Sequence, residues 1–220
     1  MNEDYFLNFD PDVNILNNAF NSDVSQPHSE YFTVDQFNSV YSQYSCGFSI
    51  LNFNIRSYNR NFDNFSCFLG SLNKLPDVFS LSETWLNTDS LLPSNYQNYK
   101  VFNTVRFSGR GGGVSVFVDK SYCAYKVQNL SLINNFIETC CVKLTLGNFF
   151  QLFIISVYRP PKSNVLSFVH SLIEILNSPT LNKAKIVLMG DFNLDLMKHD
   201  NLSKQYKLEL ESLGFLLFIL

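Results

Sequence analysis

The sequence has no apolar run approaching the length needed to cross a bilayer. Residues 1–12 carry acidic and amide side chains where a secretion signal carries lysines and an apolar core. No membrane partner is expected, and the expected location is nuclear or cytoplasmic rather than secreted. There is no C-x-x-C pair. Cys46, Cys67, Cys123, Cys140 and Cys141 are odd in number, and the adjacent last two would point to opposite faces of a strand. Neither zinc nor a disulfide framework is indicated. Positive charge is not in excess either: the formal net charge is -3 and the sequence pI about 5.6, so no global basic field draws the chain to nucleic acid, and only a local groove could. The glycine-rich stretch at 108–113 lacks the G-K-[ST] of a phosphate loop and runs into a valine-rich strand instead of a helix, which makes it a flexible turn. Sequons beginning at Asn64, Asn129 and Asn201 arise by chance in an Asn-rich chain.

What is present is a chain of 220 residues, 46% hydrophobic, long enough to bury one large core. Residues 1–46 are rich in Asn, Ser, Asp and Gln without sustained periodicity and read as a poorly ordered leader. Residues 47–220 form the domain. Residues 48–53 read as a strand. Phe62, Phe65, Phe68, Leu69 and Leu72 then recur at helical spacing up to Pro76, and 77–82 follows as a second strand. Stretches 123–129, 137–146 and 149–157 are strand-like, with a hairpin turn at Gly147-Asn148. An amphipathic helix over 165–176 leads to the stretch K-I-V-L-M-G-D-F-N-L-D at 185–195. Its apolar residues Ile186 to Met189 fit a short strand buried on both faces, after which Gly190 allows a sharp turn. Residues 202–213 are helical in pattern, and 215–220 resembles an interrupted strand. Strand, helix, strand order of this kind indicates a layered α/β domain.

Polar residues recur where these strands end: Asn54, Glu83, Tyr158 with Arg159, and Asp191 with Asn193. Each singly is an ordinary surface or turn residue. Together they place oxygen ligands and phosphate donors where α/β sheets gather ligands. A carboxylate and a carboxamide two residues apart, as in Asp191 and Asn193, suit a hard cation or a fixed water. Glu138, in a strand position, lies at the periphery of this set and is left out of it.

These residues stand in L-N-F-N-I-R-S at 51–57, L-S-E-T-W-L at 81–86, G-G-G-V at 111–114, V-Y-R-P-P at 157–161 and G-D-F-N at 190–193. In order and spacing the series resembles the endonuclease/exonuclease/phosphatase superfamily. Its S-E-T-W-L and Y-R-P-P wording resembles the apurinic-type endonuclease domain of non-LTR retrotransposons, the piece that precedes a reverse transcriptase. The resemblance implies a four-layer α/β sandwich, two mixed β-sheets packed face to face and flanked by helices. It also implies divalent-metal-dependent hydrolysis of DNA phosphodiesters with Mg2+, or Mn2+ in its place. By the same resemblance Glu83 is the principal metal ligand with Asn54 beside it, and Asp191 orients or deprotonates the attacking water. Asn193 fixes the water or a phosphate oxygen, Tyr158 donates to the phosphate, and Arg159 contacts the substrate backbone.

Family members carry a late strand bearing an Asp and a final Ser-Asp-His element, and this sequence stops at Leu220 before either. The resemblance therefore implies a C-terminally incomplete copy with its last strands missing, and His28, His170 and His199 do not replace the absent histidine. Two alternatives stay open: a catalytically inactive remnant or nucleic-acid-binding module of the same fold, and a sugar or lipid phosphatase of the same superfamily.

Overall fold

A computed structural model describes residues 32–43, 47–147, 150–194 and 201–215. Two strands of almost wholly buried residues, β1 (Ile50–Asn54) and β2 (Val78–Ser82), lie parallel and are joined by the helix α2 (Tyr58–Gly70). Adding β3 (Asn95–Tyr96), β4 (Tyr99–Thr104) and β5 (Val114–Asp119) gives a 5-stranded mixed sheet in the order β1-β2-β5-β4-β3. The second sheet is 4-stranded: β6 (Cys123–Lys126), β7 (Glu138–Leu146), β8 (Phe150–Tyr158) and β9 (Lys185–Asp191), in that order. In it β7 runs antiparallel to its neighbours, whereas β9 runs parallel to β8 after the crossover through α3 (Val165–Leu176). Asn164 caps α3 by accepting the Ser167 N–H at 3.0 Å.

Alternation along the strands builds three cores from two sheets. Ile50, Val78 and Val116 of the first sheet meet Cys140, Val142, Ile154 and Met189 of the second, filling the space between them. On the outer face of the first sheet Phe53, Phe79 and Phe117 pack against Phe65 and Leu69 of α2, with Phe79 and Phe117 stacked at 4.3 Å between ring centroids. On the outer face of the second, Cys141, Phe153 and Ile155 receive Phe168 and Leu172 of α3 and Tyr206 and Leu210 of α4 (Asn201–Ser212). The fold is a four-layer α/β sandwich of two mixed sheets flanked by helices. Cys140 and Cys141 do face opposite layers, and burial pushes their thiols up to about 11 and about 12, so both stay protonated at neutral pH. Among the described residues no helix is long and apolar enough to cross a membrane.

Three local expectations change. Within the stretch read as a poorly ordered leader, Val34–Gln43 forms the helix α1, and Phe37 and Tyr41, one turn apart, are buried against the outer face of the first sheet. Residues 1–31 and 44–46 of that stretch lie outside the described residues, as do His28, His199 and the terminal 216–220. Strand β9 packs on both faces, Ile186 and Leu188 against the outer core of the second sheet and Val187 and Met189 against the core between the sheets, but less deeply than expected: among the described residues it is an edge strand, and of the four only Met189 is buried. Finally β4, which carries a lysine and an asparagine among its apolar residues, forms a strand where none was expected.

Candidate active site

β1, β2, β8 and β9 are two parallel pairs, so each pair delivers its C-terminal residues to one edge. Asn54 lies opposite Ser82 in the first sheet, and Tyr158 opposite Asp191 in the second. The edges meet at Asn54. Its amide nitrogen donates to Glu83 Oε1 at 2.9 Å and to Asp191 Oδ2 at 2.8 Å, tying carboxylates from the two sheets to one side chain. Its carbonyl oxygen accepts the Arg56 N–H at 3.2 Å. The structure thus brings together Asn54, Glu83, Tyr158 and Asp191, with Asn54 acting toward the carboxylates as a donor.

Glu83 is held by backbone on both flanks. Its carbonyl accepts the Ser57 N–H at 2.8 Å and the Thr84 carbonyl accepts the Tyr58 N–H at 2.8 Å. Thr84 and Trp85 donate their own N–H groups to Gly113 O at 3.2 Å and Gly112 O at 2.8 Å. The glycine run is therefore a fixed scaffold for the Glu83 loop and not a flexible turn. A Cβ on Gly112 would enter the Glu138 carboxylate and the Arg106 guanidinium, and one on Gly113 would enter Thr84 Oγ1. Left-handed backbone at non-glycine positions gathers here as well, with φ 47 at Arg56, 101 at Ser57, 54 at Glu83, 56 at Trp85 and 47 at Asn193. Strain of this kind persists where surrounding structure over-determines it, and functional sites are where it concentrates.

Glu138 and Arg106 were not singled out as site residues from sequence. Glu138 is fully buried, accepts Arg106 Nε at 2.7 Å and a second guanidinium N–H, and accepts the Gly113 N–H at 2.5 Å through its other oxygen. It faces Tyr158 across β7 and β8. A carboxylate at the first position of a strand was the available signal, but its partner lies 32 residues away, beyond any local pattern.

Arg159 is corrected by the structure. At 4% exposure it cannot reach a substrate backbone: its guanidinium donates to Phe192 O at 2.7 Å, Ser163 O at 2.7 Å and Asn193 O at 2.5 Å. It clamps the turn after Asp191. Asn193 shares that work, donating one amide N–H to Arg159 O at 2.7 Å and its backbone N–H to Asp191 Oδ1 at 3.0 Å. Lysine lacks the fork that reaches several carbonyls at once. Arg159→Lys is therefore expected to lower stability by about 2 kcal/mol, the scale of losing hydrogen bonds to buried acceptors, read by urea denaturation.

Burial raises the Asp191 carboxyl above the usual aspartate range; Asn193 and Asn54 oppose the rise by hydrogen bonding, and Glu83 adds to it by repulsion. A carboxyl raised in the folded state binds its proton more tightly there than in the unfolded chain, so stability falls as pH rises from the unfolded to the folded pKa and stays lower above it. Asp191→Asn removes that cost but has one oxygen for the two donors the carboxylate satisfies, the Asn54 amide at Oδ2 and the Asn193 N–H at Oδ1, so one of them loses its acceptor. The melting temperature of the variant relative to the parent is expected to rise from acid to neutral pH in a metal-free buffer, as the parent's carboxyl gives up its proton. The Tyr158 hydroxyl is pushed well above its ordinary value, first by burial and then by the Glu83 and Asp191 charges, and so keeps its proton as a donor.

Among the described residues no three His, Cys, Asp or Glu side chains cluster as metal ligands. A hard cation that keeps several waters needs only one or two protein ligands, and Glu83 with Asn54 beside it is a set of that size. His170 is elsewhere, paired with Glu174 at 3.2 Å on the exposed surface of α3.

No curated protein matches the chain. Among solved structures, the endonuclease domain of TRAS1, a telomere-specific non-LTR retrotransposon, superposes with a TM-score of 0.54 at 14% identity, covering 75% of this chain and 70% of that one. The AP endonuclease LMAP from Leishmania major gives 0.55 at 15% identity over 74% and 65% of the two chains. The Neisseria 3′ phosphatase NExo bound to product DNA hairpin gives 0.51 at 17% identity over 74% and 70%. At these identities the likeness speaks for the fold. Residues 51–211, which span all the strand ends above, match the sequence profile of the Endonuclease/Exonuclease/phosphatase family, and with that match over most of its length the chain belongs to this family.

Proposed function

We propose that this chain is a divalent-cation-dependent nuclease that hydrolyses DNA phosphodiester bonds, serving as the nicking domain of a non-LTR retrotransposon. The observation that carries the reading is the Asn54 amide holding one carboxylate from each sheet, Glu83 and Asp191, at a shared strand-end edge. Family membership supports phosphodiester hydrolysis in general, and the S-E-T-W-L and Y-R-P-P motifs support the retrotransposon branch.

Glu83, with Asn54 beside it, would hold a magnesium or manganese ion, which when bound offsets negative charge on the phosphate and the leaving oxygen. Asp191 orients the attacking water and accepts its proton, the raised carboxyl lying closer to the operating pH than an ordinary aspartate. Tyr158 donates its O–H to a phosphate oxygen, a role its retained proton allows. Asn193 keeps one amide N–H beyond its bond to Arg159 and offers it to the water or the phosphate.

The test compares supercoiled plasmid, a 3′-phosphorylated oligonucleotide and a sugar phosphate, each with and without magnesium. Magnesium-dependent conversion of plasmid to nicked circles is expected. Phosphate release from the monoesters with plasmid untouched would reassign the chain as a phosphatase. A folded chain acting on none of the three would stand as an inactive remnant.

A further inference from the structure

We infer that Glu138, clamped by Arg106, is a positioning residue: it holds the Glu83 loop of the first sheet against Tyr158 of the second, so that the cation and the Tyr158 hydroxyl act on one phosphate. The inference rests on the nuclease reading and deepens it. Glu138 opens β7 directly opposite Tyr158 in β8, and residues so paired point to the same face. Tyr158 belongs to the core between the sheets, so the Glu138 carboxylate points there too, toward the first sheet. There its Oε2 accepts the Gly113 N–H at 2.5 Å, and its Oε1 accepts the Arg106 guanidinium through Nε at 2.7 Å and through a second N–H. No other charged side chain is needed to satisfy it.

The carboxylate acts on the Glu83 loop through one peptide plane. The Gly113 N–H shares that plane with the Gly112 carbonyl, and a trans peptide points the two in opposite directions. The Gly112 carbonyl accepts the Trp85 N–H at 2.8 Å, and the Gly113 carbonyl accepts the Thr84 N–H at 3.2 Å. Glu138 thereby fixes the two residues that follow Glu83. A donor bonded to a carboxylate also makes the carbonyl behind it a stronger acceptor. Arg106 holds the far end of the same loop, its own carbonyl accepting the Thr88 N–H at 3.2 Å, so residues 84–88 are tied at both ends to groups that meet at Glu138. Stability alone does not account for such a pair, because apolar residues of similar volume often serve a buried site as well as an ion pair does. Its place does: one fully buried carboxylate joins the arm before β5, the loop after β2 and the end of β8.

The chain's only tryptophan, Trp85, hangs on that peptide plane and reports the loop without metal or substrate. The test follows acrylamide quenching of Trp85 in metal-free protein, manganese affinity by electron paramagnetic resonance, and the magnesium dependence of bis(p-nitrophenyl) phosphate hydrolysis. The full chain is compared with Glu138→Gln, Arg106→Lys, the double variant Arg106→Met with Glu138→Met, and Leu69→Ala, each first checked for fold by circular dichroism. Glu138→Gln has one oxygen for two donors and is expected to lose about tenfold or more in manganese affinity, the scale of removing a group that orients a metal ligand, with Trp85 more readily quenched. Arg106→Lys keeps a counter-charge but offers a point donor in place of a fork, and is expected to fall between the parent and Glu138→Gln. The double variant leaves no unpaired buried charge, so it stays folded even where Glu138→Gln does not, and it is expected to show the same loss because Gly113 has no acceptor. Leu69→Ala opens a cavity at the far end of α2 and is expected to lower stability while keeping parental quenching and affinity. Parental quenching and affinity in any folded variant at 138 or 106, or equal losses in Leu69→Ala, would overturn the inference. Hydrolysis by the parent with no change in Glu138→Gln would leave the nuclease reading standing without it. The expected losses in quenching protection and affinity, with no diester cleaved by the parent, would leave the nuclease reading to fall alone.

Discussion

Glu83→Gln is expected to lower magnesium-dependent hydrolysis by about a thousandfold or more with the fold intact, the scale seen when one member of a coupled catalytic group is lost. Glutamine keeps the volume of the side chain and an oxygen for the Asn54 amide, which sits 2.9 Å from Oε1. The strained backbone at φ 54 is no harder for glutamine than for glutamate, and the bonds from Ser57 and to Gly112 and Gly113 involve main chain only. What disappears is the negative charge. Manganese affinity, followed by electron paramagnetic resonance, should fall with the rate. Glu83 also helps hold the Asp191 carboxyl up, so the acid limb of any residual activity should move to lower pH in the variant. A folded Glu83→Gln protein within tenfold of the parent would remove Glu83 from the site.

The largest effect on stability is expected at Gly190, whose replacement by alanine should cost about 3–5 kcal/mol, the upper range for a substitution at a special backbone position. Gly190 has φ 144 and lies opposite Val157 in the parallel β8–β9 pair. A Cβ there would overlap the Val157 carbonyl oxygen and come within 2.7 Å of that residue's N and C atoms. Backbone in a sheet interior has no rotamer with which to move aside, so the strands must separate. Separation reaches the chemistry at once, because Asp191 is the next residue and Asn54 meets it at 2.8 Å. Guanidinium denaturation reads the loss, and hydrolysis should fall further than the folded fraction alone explains. Stability within 1 kcal/mol of the parent, on the order of an ordinary surface change, would show that β8 and β9 are not so closely apposed.

The strand ends were legible because each is a short apolar run closed by a polar residue, and two parallel pairs necessarily bring such ends to one edge. The strand-end pattern offered Asn54, Glu83, Tyr158 with Arg159 and Asp191 with Asn193 as one set, and of these the structure brings Asn54, Glu83, Tyr158 and Asp191 to one edge. It was silent on direction and partner. Arg159 follows Tyr158 in the chain and looks like a surface cation, but the turn at 192–193 offers it carbonyls 33 and 34 residues away, and it turns inward to take them. Glu138 is buried because Arg106 and Gly113 satisfy it, and neither is near in sequence. The apolar character of β9 showed that both its faces pack on cores, but not that its place at the edge of the described sheet leaves Ile186, Val187 and Leu188 only partly buried. In α1, two aromatic residues one turn apart inside a polar segment were too few to show a period, although they suffice to dock the helix.

Nicking of supercoiled plasmid by the parent chain and by Asp191→Asn, with and without magnesium, tests the site most directly, because that variant keeps the shape of the side chain and removes its charge, circular dichroism first showing that both are folded. The expected result is magnesium-dependent nicking by the parent and none by the folded variant. Nicking that survives Asp191→Asn, or that proceeds without a divalent cation, would contradict the roles assigned to Asp191 and Glu83.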